Sequence, residues 1–365
     1  MNRVMILGGY GHFGVKISEA LLKSQIPVII VGRHFDKLNN MVELLKQKYP
    51  ADLIFGSCFD IYEDLNDKLR ELKPSIVIHT SGPFQNQNYI IPRLCIENQV
   101  HYIDIADARD YVRDISSLND QAIQNKVTVI SGASSVPGLT SAVIQHYKPE
   151  FSKLDHLKFG ISSGQQTPGG VATTEAILSY TGKEIPTYKG AKSRVIGWQG
   201  LHRVELPVCG KRWQSNCSIP DLDLFPEHYG LKSIEFSGGV ESSFLHLSLW
   251  LISWLIRWGL PLQLNNNSNL FHTVAKKFEG FGSDAGGLYI FLSGKDLADK
   301  SKTVKWFIIA RKNHGLYIPT IPAIVLAKRI YRGEYQDIGA KPCVELVSLD
   351  ELLAEMKDYD ISVFD

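Results

Sequence analysis

The chain has 365 residues, 44% hydrophobic and 21% charged, with a formal net charge of +1. That length can bury a large core and suits two domains, and the composition is that of an ordinary globular protein. The near-neutral balance speaks against a nucleic-acid groove and a polybasic membrane tether. The apolar run Val4-Met5-Ile6-Leu7 begins almost at the first residue, leaving no room for a secretory signal. Five scattered cysteines (Cys58, Cys95, Cys209, Cys217, Cys343) form no CxxC pair and read as reduced thiols. Both features point to the cytoplasm. Cys209 and Cys217 lack two further ligands at zinc spacing, so no metal is expected.

The first strand-like run feeds Gly9-Tyr10-Gly11-His12-Phe13-Gly14, and a helix-compatible stretch (Val15, Ile17, Ala20, Leu21, Leu22) leaves it. G-x-G-x-x-G between strand and helix is the dinucleotide-binding arrangement. Gly9 permits the tight turn and Gly11 lets backbone approach a pyrophosphate. Gly14 lets the helix pack close to the strand, so that its first amides, with His12 and Phe13, face the phosphates. The second strand, residues 28–32, should end in an acid if the ligand were NAD, because a carboxylate grips the ribose 2′-hydroxyl. It ends Gly32-Arg33-His34. A guanidinium can pair with a 2′-phosphate and stack on adenine, so Gly32 and Arg33 favour NADP(H).

Further strands are expected at 52–56, 75–80, 101–106 and 127–131, with helices between. This βα rhythm predicts an α/β fold, a doubly wound parallel Rossmann sheet over residues 1–145 with ligands beyond the strands' carboxyl ends. Four ends carry polar groups. Asp60 could accept from the adenine amino group. Ser81-Gly82-Pro83-Phe84 could lie against the ribose and nicotinamide. Asp104 and Asp107 flank the exit of the fifth strand, and residues 135–139 open another helix. Each also reads singly as turn or capping chemistry.

After residue 145 the rhythm changes. Strands are expected at 157–162, 193–198, 203–208, 232–237, 287–293 and 303–311, with the clearest helices starting near Thr173 and Phe244. This reads as a second α+β domain, residues 146–365, with a mostly antiparallel sheet. A helix near 320–333 is a candidate to pack back on the first domain. The loop Gln165-Gln166-Thr167-Pro168-Gly169-Gly170 precedes a helix and could hold a substrate carboxylate. An ordinary connector is the other reading.

Residues 244–260 hold Trp250, Trp254 and Trp258 and few polar groups, with His246 and Arg257 as interruptions. The run is shorter than the roughly 20 residues of a bilayer span. A helix apolar on nearly every face is expected to be buried, in the domain or in a dimer interface. A lipid-facing surface helix and a tunnel wall are the remaining readings.

Together, the glycine turn with Gly32-Arg33, then Ser81-Gly82-Pro83-Phe84-Gln85, Tyr102-Ile103-Asp104 and Pro137-Gly138-Leu139, resemble the saccharopine dehydrogenase-like oxidoreductases. Gly286-Gly287, Trp306, His314-Gly315 and residues 318–323 extend the resemblance to the C-terminal part. It implies a Rossmann domain binding NADP(H), and a second domain that contacts a small-molecule substrate and makes a homodimer. Saccharopine reductases proper carry an aromatic, glycine-rich substrate motif. Here residues 162–170 read Ser-Ser-Gly-Gln-Gln-Thr-Pro-Gly-Gly, which departs from lysine-pathway chemistry and leaves amino acid-derived and lipid-derived substrates open.

Hydride transfer needs the two carbons held together, with a donor or base at the atom that changes charge. Ser81, Tyr102 and Asp107 are the catalytic candidates by position. His101 starts its strand at the wrong end, and His314 sits in a loop. No Tyr-x-x-x-Lys pair, nucleophile elbow, Walker loop or zinc helix is present. The leading expectation is an NADP(H)-dependent oxidoreductase. A non-catalytic NADP(H) sensor and a lipid-associated protein that uses the tryptophan helix at a membrane surface are the alternatives.

Overall fold

The computed structural model describes residues 2–85, 87–167, 171–260 and 282–365, with residues 273, 277 and 280. The chain divides into two compact units, Met1–Ala142 with Tyr317–Glu355 and Val143–Leu316 with Met356–Asp365.

In the first unit, β1 (Val4–Leu7) is apolar at every position and buried on both faces, as a central parallel strand must be. It is joined by β2 (Val28–Gly32), β3 (Ile54–Cys58), β4 (Ile76–His79), β5 (His101–Asp104) and β6 (Thr128–Ser131). All six expected strands are present. The third starts late because Pro50 leads into a short 3-10 turn, Ala51–Leu53. The strands pair in parallel in the order β6-β5-β4-β1-β2-β3. The order reverses between β1 and β4, which opens a crevice beyond their carboxyl ends. α1 (His12–Lys23) leaves β1 and buries Ile17, Ala20, Leu21 and Leu22. α2 (Phe35–Lys46), α3 (Leu65–Leu72), α4 (Ile90–Glu97), α5 (Arg109–Arg113) and α6 (Asn119–Gln124) are the crossovers, and α7 (Thr140–Tyr147) follows β6 through the π-turn Ser135–Leu139.

The expected division at residue 145 leaves too little in this unit. Tyr317–Glu355 belongs to it and supplies a further parallel strand, β15 in chain order (Gly339–Pro342), with Gly339 opposite Thr128. Thr128 Oγ1 also donates to the Asp337 carbonyl at 2.7 Å. Gly-Ala-Lys-Pro has little strand propensity, so packing on β6, not local preference, decides its conformation. The helix expected near 320–333 is Ile321–Tyr331; it buries eight of its side chains, Ile321 and Leu326 among them, and packs on α1 and β4.

The second unit is built on β7 (Phe151–Ser163), β8 (Glu184–Lys189), β9 (Lys192–Ile196), β10 (His202–Leu206), β11 (Gly210–Asn216), β12 (Ser233–Val240), β13 (Gly286–Asp296), β14 (Ser301–Ala310) and β16 (Ile361–Phe364). Among the described residues the order is β10-β11-β12-β7-β13-β14-β16, with the β8–β9 hairpin also on β12. Only β7 and β12 pair in parallel, so the sheet is mostly antiparallel. α8 (Val171–Tyr180), α9 (Asp221–Tyr229) and α10 (Ser243–Arg257) accompany it. Pro168, Gly169 and Gly170, read above as the end of a helix-opening loop, lie outside the described residues.

Within the single chain α10 is only partly buried. Only His246 and Ser253 on it are buried, while Phe244 and Leu251 are exposed, as is Trp258 beyond its end. The two polar residues lie seven apart on one side of the helix, and the other apolar residues of α10 are half-buried. Among the described residues no helix is long and apolar enough to cross a membrane.

Candidate dinucleotide site

Backbone bonds define the glycine turn. Gly9 N–H donates to the Val31 carbonyl and Gly11 N–H to the Gly8 carbonyl, both at 2.9 Å. Gly8 has φ +76°, a left-handed conformation that suits glycine. It was not among the expected residues, and a side chain there would also meet the Ser81 hydroxyl, 2.6 Å from its Cβ. Gly8 therefore lets the end of β4 lie against the turn, and the structure brings Ser81 to the glycines. A Cβ on Gly14 would stand 2.7 Å from the Gly9 Cα, the close helix–strand approach expected of the third glycine. Gly11 caps α1 without a side-chain bond, and Gly11 and His12 are exposed while Phe13 is half-buried. The first-turn amides of α1 thus have an open approach, which a pyrophosphate fits.

Gly32 has a reason that spacing did not reveal. The Tyr10 ring lies on it, and a Cβ there would be 2.8 Å from the ring Cζ. Arg33 follows, exposed, and Gly32 pairs with Cys58 so that Arg33 and Asp60 leave neighbouring strand ends. Asp60 uses Oδ1 to accept the Tyr62 N–H at 2.9 Å, an Asx turn. Burial first, then the Asp60 charge, raises the Tyr62 hydroxyl pKa, with Arg33 opposing. Arg33, Asp60 and Tyr62 thus share one corner. The remaining candidates sit beyond β4 and β5. Gly82 and Pro83 are exposed, and the Ser81 and Pro83 carbonyls both accept from Gln87 Nε2, at 2.8 and 2.9 Å. Gln85 Nε2 donates to Asp107 Oδ1 at 3.1 Å, joining the two loops.

Tyr102 has no exposed surface. Its hydroxyl is hydrogen-bonded to His79 Nδ1 at 3.0 Å and to the Tyr111 hydroxyl at 3.1 Å. Burial raises its pKa far above the usual value. Tyr102 is therefore a core residue, out of reach of a ligand, because the alternation along β5 turns it into the layer that packs Met5, Val77 and Val129. Asp104 is equally buried. Its Oδ1 accepts from Ala106 N–H (3.0 Å), Ser131 Oγ (3.0 Å) and Gly132 N–H (2.8 Å), tying the ends of β5 and β6 together. His101 accepts the Thr128 N–H at 3.0 Å, and His314 accepts the Asp360 N–H at 2.7 Å. Both are structural. The legible signal for the buried network was a histidine ending the apolar strand Ile76-Val77-Ile78-His79.

This network makes the unit acid-sensitive. Burial pushes His79 from 6.5 down to about 3, opposed by the Ser81 backbone. The unfolded chain takes up that proton below pH 6.5 and the folded one does not, so stability falls as pH falls from 6.5 toward 3. Burial pushes Asp104 from 3.8 up to about 6, its hydrogen-bond donors opposing. The folded state then holds the extra proton, so that contribution is lost as pH rises from 3.8 to 6. The His79 displacement is larger and sets the sign. Acidification from neutrality to about pH 4.5 is expected to cost under about 1 kcal/mol net, roughly 2–3 kcal/mol lost at His79 against about 2 kcal/mol gained at Asp104. His79→Gln, which leaves the Asp104 gain alone, is expected to be stabilised over that interval instead, as read from denaturant midpoints at the two pH values.

In the second unit the 164–167 loop is clasped by Glu241. Its Oε2 accepts the Gln165 and Ser283 N–H groups, both at 2.8 Å, and Arg212 Nη2 lies 2.9 Å from Oε1. Burial would raise the Glu241 pKa, but these bonds and the Arg212 charge hold it below the usual range. Among the described residues no group of three or more His, Cys, Asp or Glu is placed to hold a metal ion.

Residues 4–130 match the family described as saccharopine dehydrogenase NADP binding domain, the segment that carries the glycine turn and the β4 end. Solved structures also align with the chain at low identity. An amine dehydrogenase from Mycobacterium smegmatis aligns over 94% of this chain and 95% of its own at 12% identity and TM-score 0.48. The WlbA (WbpB) dehydrogenase from Thermus thermophilus aligns over 98% and 93% at 10% identity and TM-score 0.43. Biliverdin reductase from Synechocystis sp. PCC 6803 aligns over 97% and 96% at 9% identity and TM-score 0.42. No curated protein matches the chain.

Proposed function

We propose that this protein is an NADP(H)-dependent oxidoreductase that moves a hydride between the nicotinamide and an amino acid-derived or lipid-derived small molecule. One observation carries the reading: the saccharopine dehydrogenase NADP-binding domain presents an open glycine turn at the sheet's reversal point, with exposed Arg33 rather than an acid at the end of β2. Gly9, Gly11, His12, Phe13 and Gly14 would hold the pyrophosphate through backbone N–H groups. Gly32 and Arg33 would receive the 2′-phosphate, and Asp60 the adenine edge. The cofactor, when bound, supplies the hydride. Ser81, Gly82 and Pro83 would border its ribose and nicotinamide, leaving Ser81 and the Gln85-bound Asp107 as the polar candidates of the first unit near that position. Tyr102 has no part in it.

Fluorescence titration with NADPH and NADH tests the cofactor, and NADPH absorbance loss across imines, keto acid–amine pairs and enoyl lipids tests the reaction. Tighter binding of NADPH with turnover on one class is expected. Failure to bind either nucleotide removes the reading, and tight binding without turnover leaves a sensor in its place.

A further inference from the structure

The loop that leaves β4 is held at both ends and open in the middle. At its start the Thr80 hydroxyl and N–H both donate to the Leu7 carbonyl of β1, at 2.8 and 3.0 Å. At its far end Phe84 is only 5% exposed. Between these anchors Gly82 and Pro83 are exposed and Ser81 is half-buried. The loop's backbone groups are largely used within it. Gly82 N–H donates to the Thr80 carbonyl at 3.2 Å, and Gln87 Nε2 donates to the Ser81 and Pro83 carbonyls. The Ser81 hydroxyl is different. Among the described residues it has no hydrogen-bond partner, and it stands over Gly8 of the glycine turn, 2.6 Å from where a Cβ would be.

Phe84 sits in a socket made of hydrogen-bonding side chains. The His79 ring meets the Phe84 ring edge-on with centroids 4.9 Å apart, and the Tyr111 ring lies 5.4 Å away. His79 and Tyr111 are joined through the Tyr102 hydroxyl, which is bonded to both. Tyr111 is held in turn by Tyr89, whose ring centroid is 5.0 Å away and whose hydroxyl donates to the Tyr111 carbonyl at 2.8 Å. All three socket residues are buried. Leucines and isoleucines would bury a phenyl ring without desolvating any polar atom. Aliphatic packing, however, tolerates several arrangements, whereas a hydrogen-bonded chain specifies one. The socket therefore fixes where the Phe84 ring lies as well as covering it.

We propose, on the cofactor reading given above, that Phe84 is a positioning residue for the nicotinamide half of the cofactor. Seated against His79 and Tyr111, it holds the Ser81-Gly82-Pro83 loop in the one place where the Ser81 hydroxyl hydrogen-bonds the nicotinamide riboside. Phe84 itself touches no ligand and acts through Ser81. The two halves of the cofactor then depend on different parts of this unit, the 2′-phosphate on Arg33 and the nicotinamide riboside on a loop placed by Phe84.

Binding of NADPH and of adenosine 2′,5′-bisphosphate, which lacks the nicotinamide half, tests this on the full-length protein. Ser81→Ala removes one unpartnered hydroxyl and should weaken NADPH about tenfold, the worth of one hydrogen bond. Phe84→Leu, which leaves the socket loosely filled, should weaken NADPH about three- to tenfold. Both variants should bind the bisphosphate as the parent does, which also shows that the unit is folded. Because Phe84 acts through Ser81, the double variant should bind NADPH no more weakly than Ser81→Ala alone. Three outcomes would overturn the proposal: Phe84→Leu that binds NADPH like the parent, Phe84→Leu that weakens both ligands alike, and losses that add in the double variant. A parent that binds neither ligand is a separate failure, seen before any substitution, and removes the cofactor reading together with this inference.

Discussion

Gly11→Val should give a folded protein that no longer binds NADPH. Gly11 has φ −74° and ψ 169°, extended backbone open to any residue, and a Cβ there meets only the Gly8 carbonyl, at 3.1 Å. The fold therefore tolerates the change. The ligand does not, because the isopropyl group stands where a pyrophosphate must approach the first amides of α1. Losing two charge-assisted hydrogen bonds of about 1.5–3 kcal/mol each predicts at least a hundredfold weaker binding. Gly14 is the control. Its Cβ would press on the Gly9 backbone at 2.7 Å, so Gly14→Val must move helix against strand and lower the melting temperature along with affinity. A fluorescence titration and a thermal melt on both variants separate the roles. Undiminished NADPH affinity in Gly11→Val would show that the turn holds no phosphate.

The part of this molecule that could be read ahead of its structure is the part where local chemistry and tertiary fold agree. Val4-Met5-Ile6-Leu7 and Val28-Ile29-Ile30-Val31 can only be buried parallel strands, and the glycine spacing says what lies between them. The hidden features are those decided by distant residues. Gly339-Ala340-Lys341-Pro342 is a strand because β6 offers an unpaired edge, and nothing in those four residues announces it. Tyr102 looked like a catalytic phenol because of its position in the chain. The period of two in a strand then placed it one residue from Ile103 and on the inner layer, where His79 and Tyr111 take its hydroxyl. α10 is legible only in part, for a different reason. Its composition implies burial, and composition does not record that the sheet's polar Ser215 and the Trp198 edge ask for a histidine rather than a leucine.

Arg33→Asp should reverse the nucleotide preference. Arg33 is exposed at the end of β2, beside Asp60 and Tyr62, and the backbone of Gly32 beneath it is held by the Tyr10 ring. The substitution changes neither packing nor backbone, so its effect is confined to the 2′ position. Removing a guanidinium–phosphate pair costs about 1.5–3 kcal/mol. Placing a carboxylate beside the existing Asp60 then sets two acids against a phosphate, a like-charge contact worth several kcal/mol more. The ratio of NADPH to NADH affinity should fall by about a thousandfold or more, with NADH binding held or improved because a carboxylate accepts from the free 2′-hydroxyl. Salt sharpens the reading. The parent's NADPH preference should shrink as ionic strength rises, since an exposed pair is screened, while the variant's NADH binding should barely respond. An unchanged ratio would place the 2′-phosphate away from β2, and the preference for NADP(H) would lose its support.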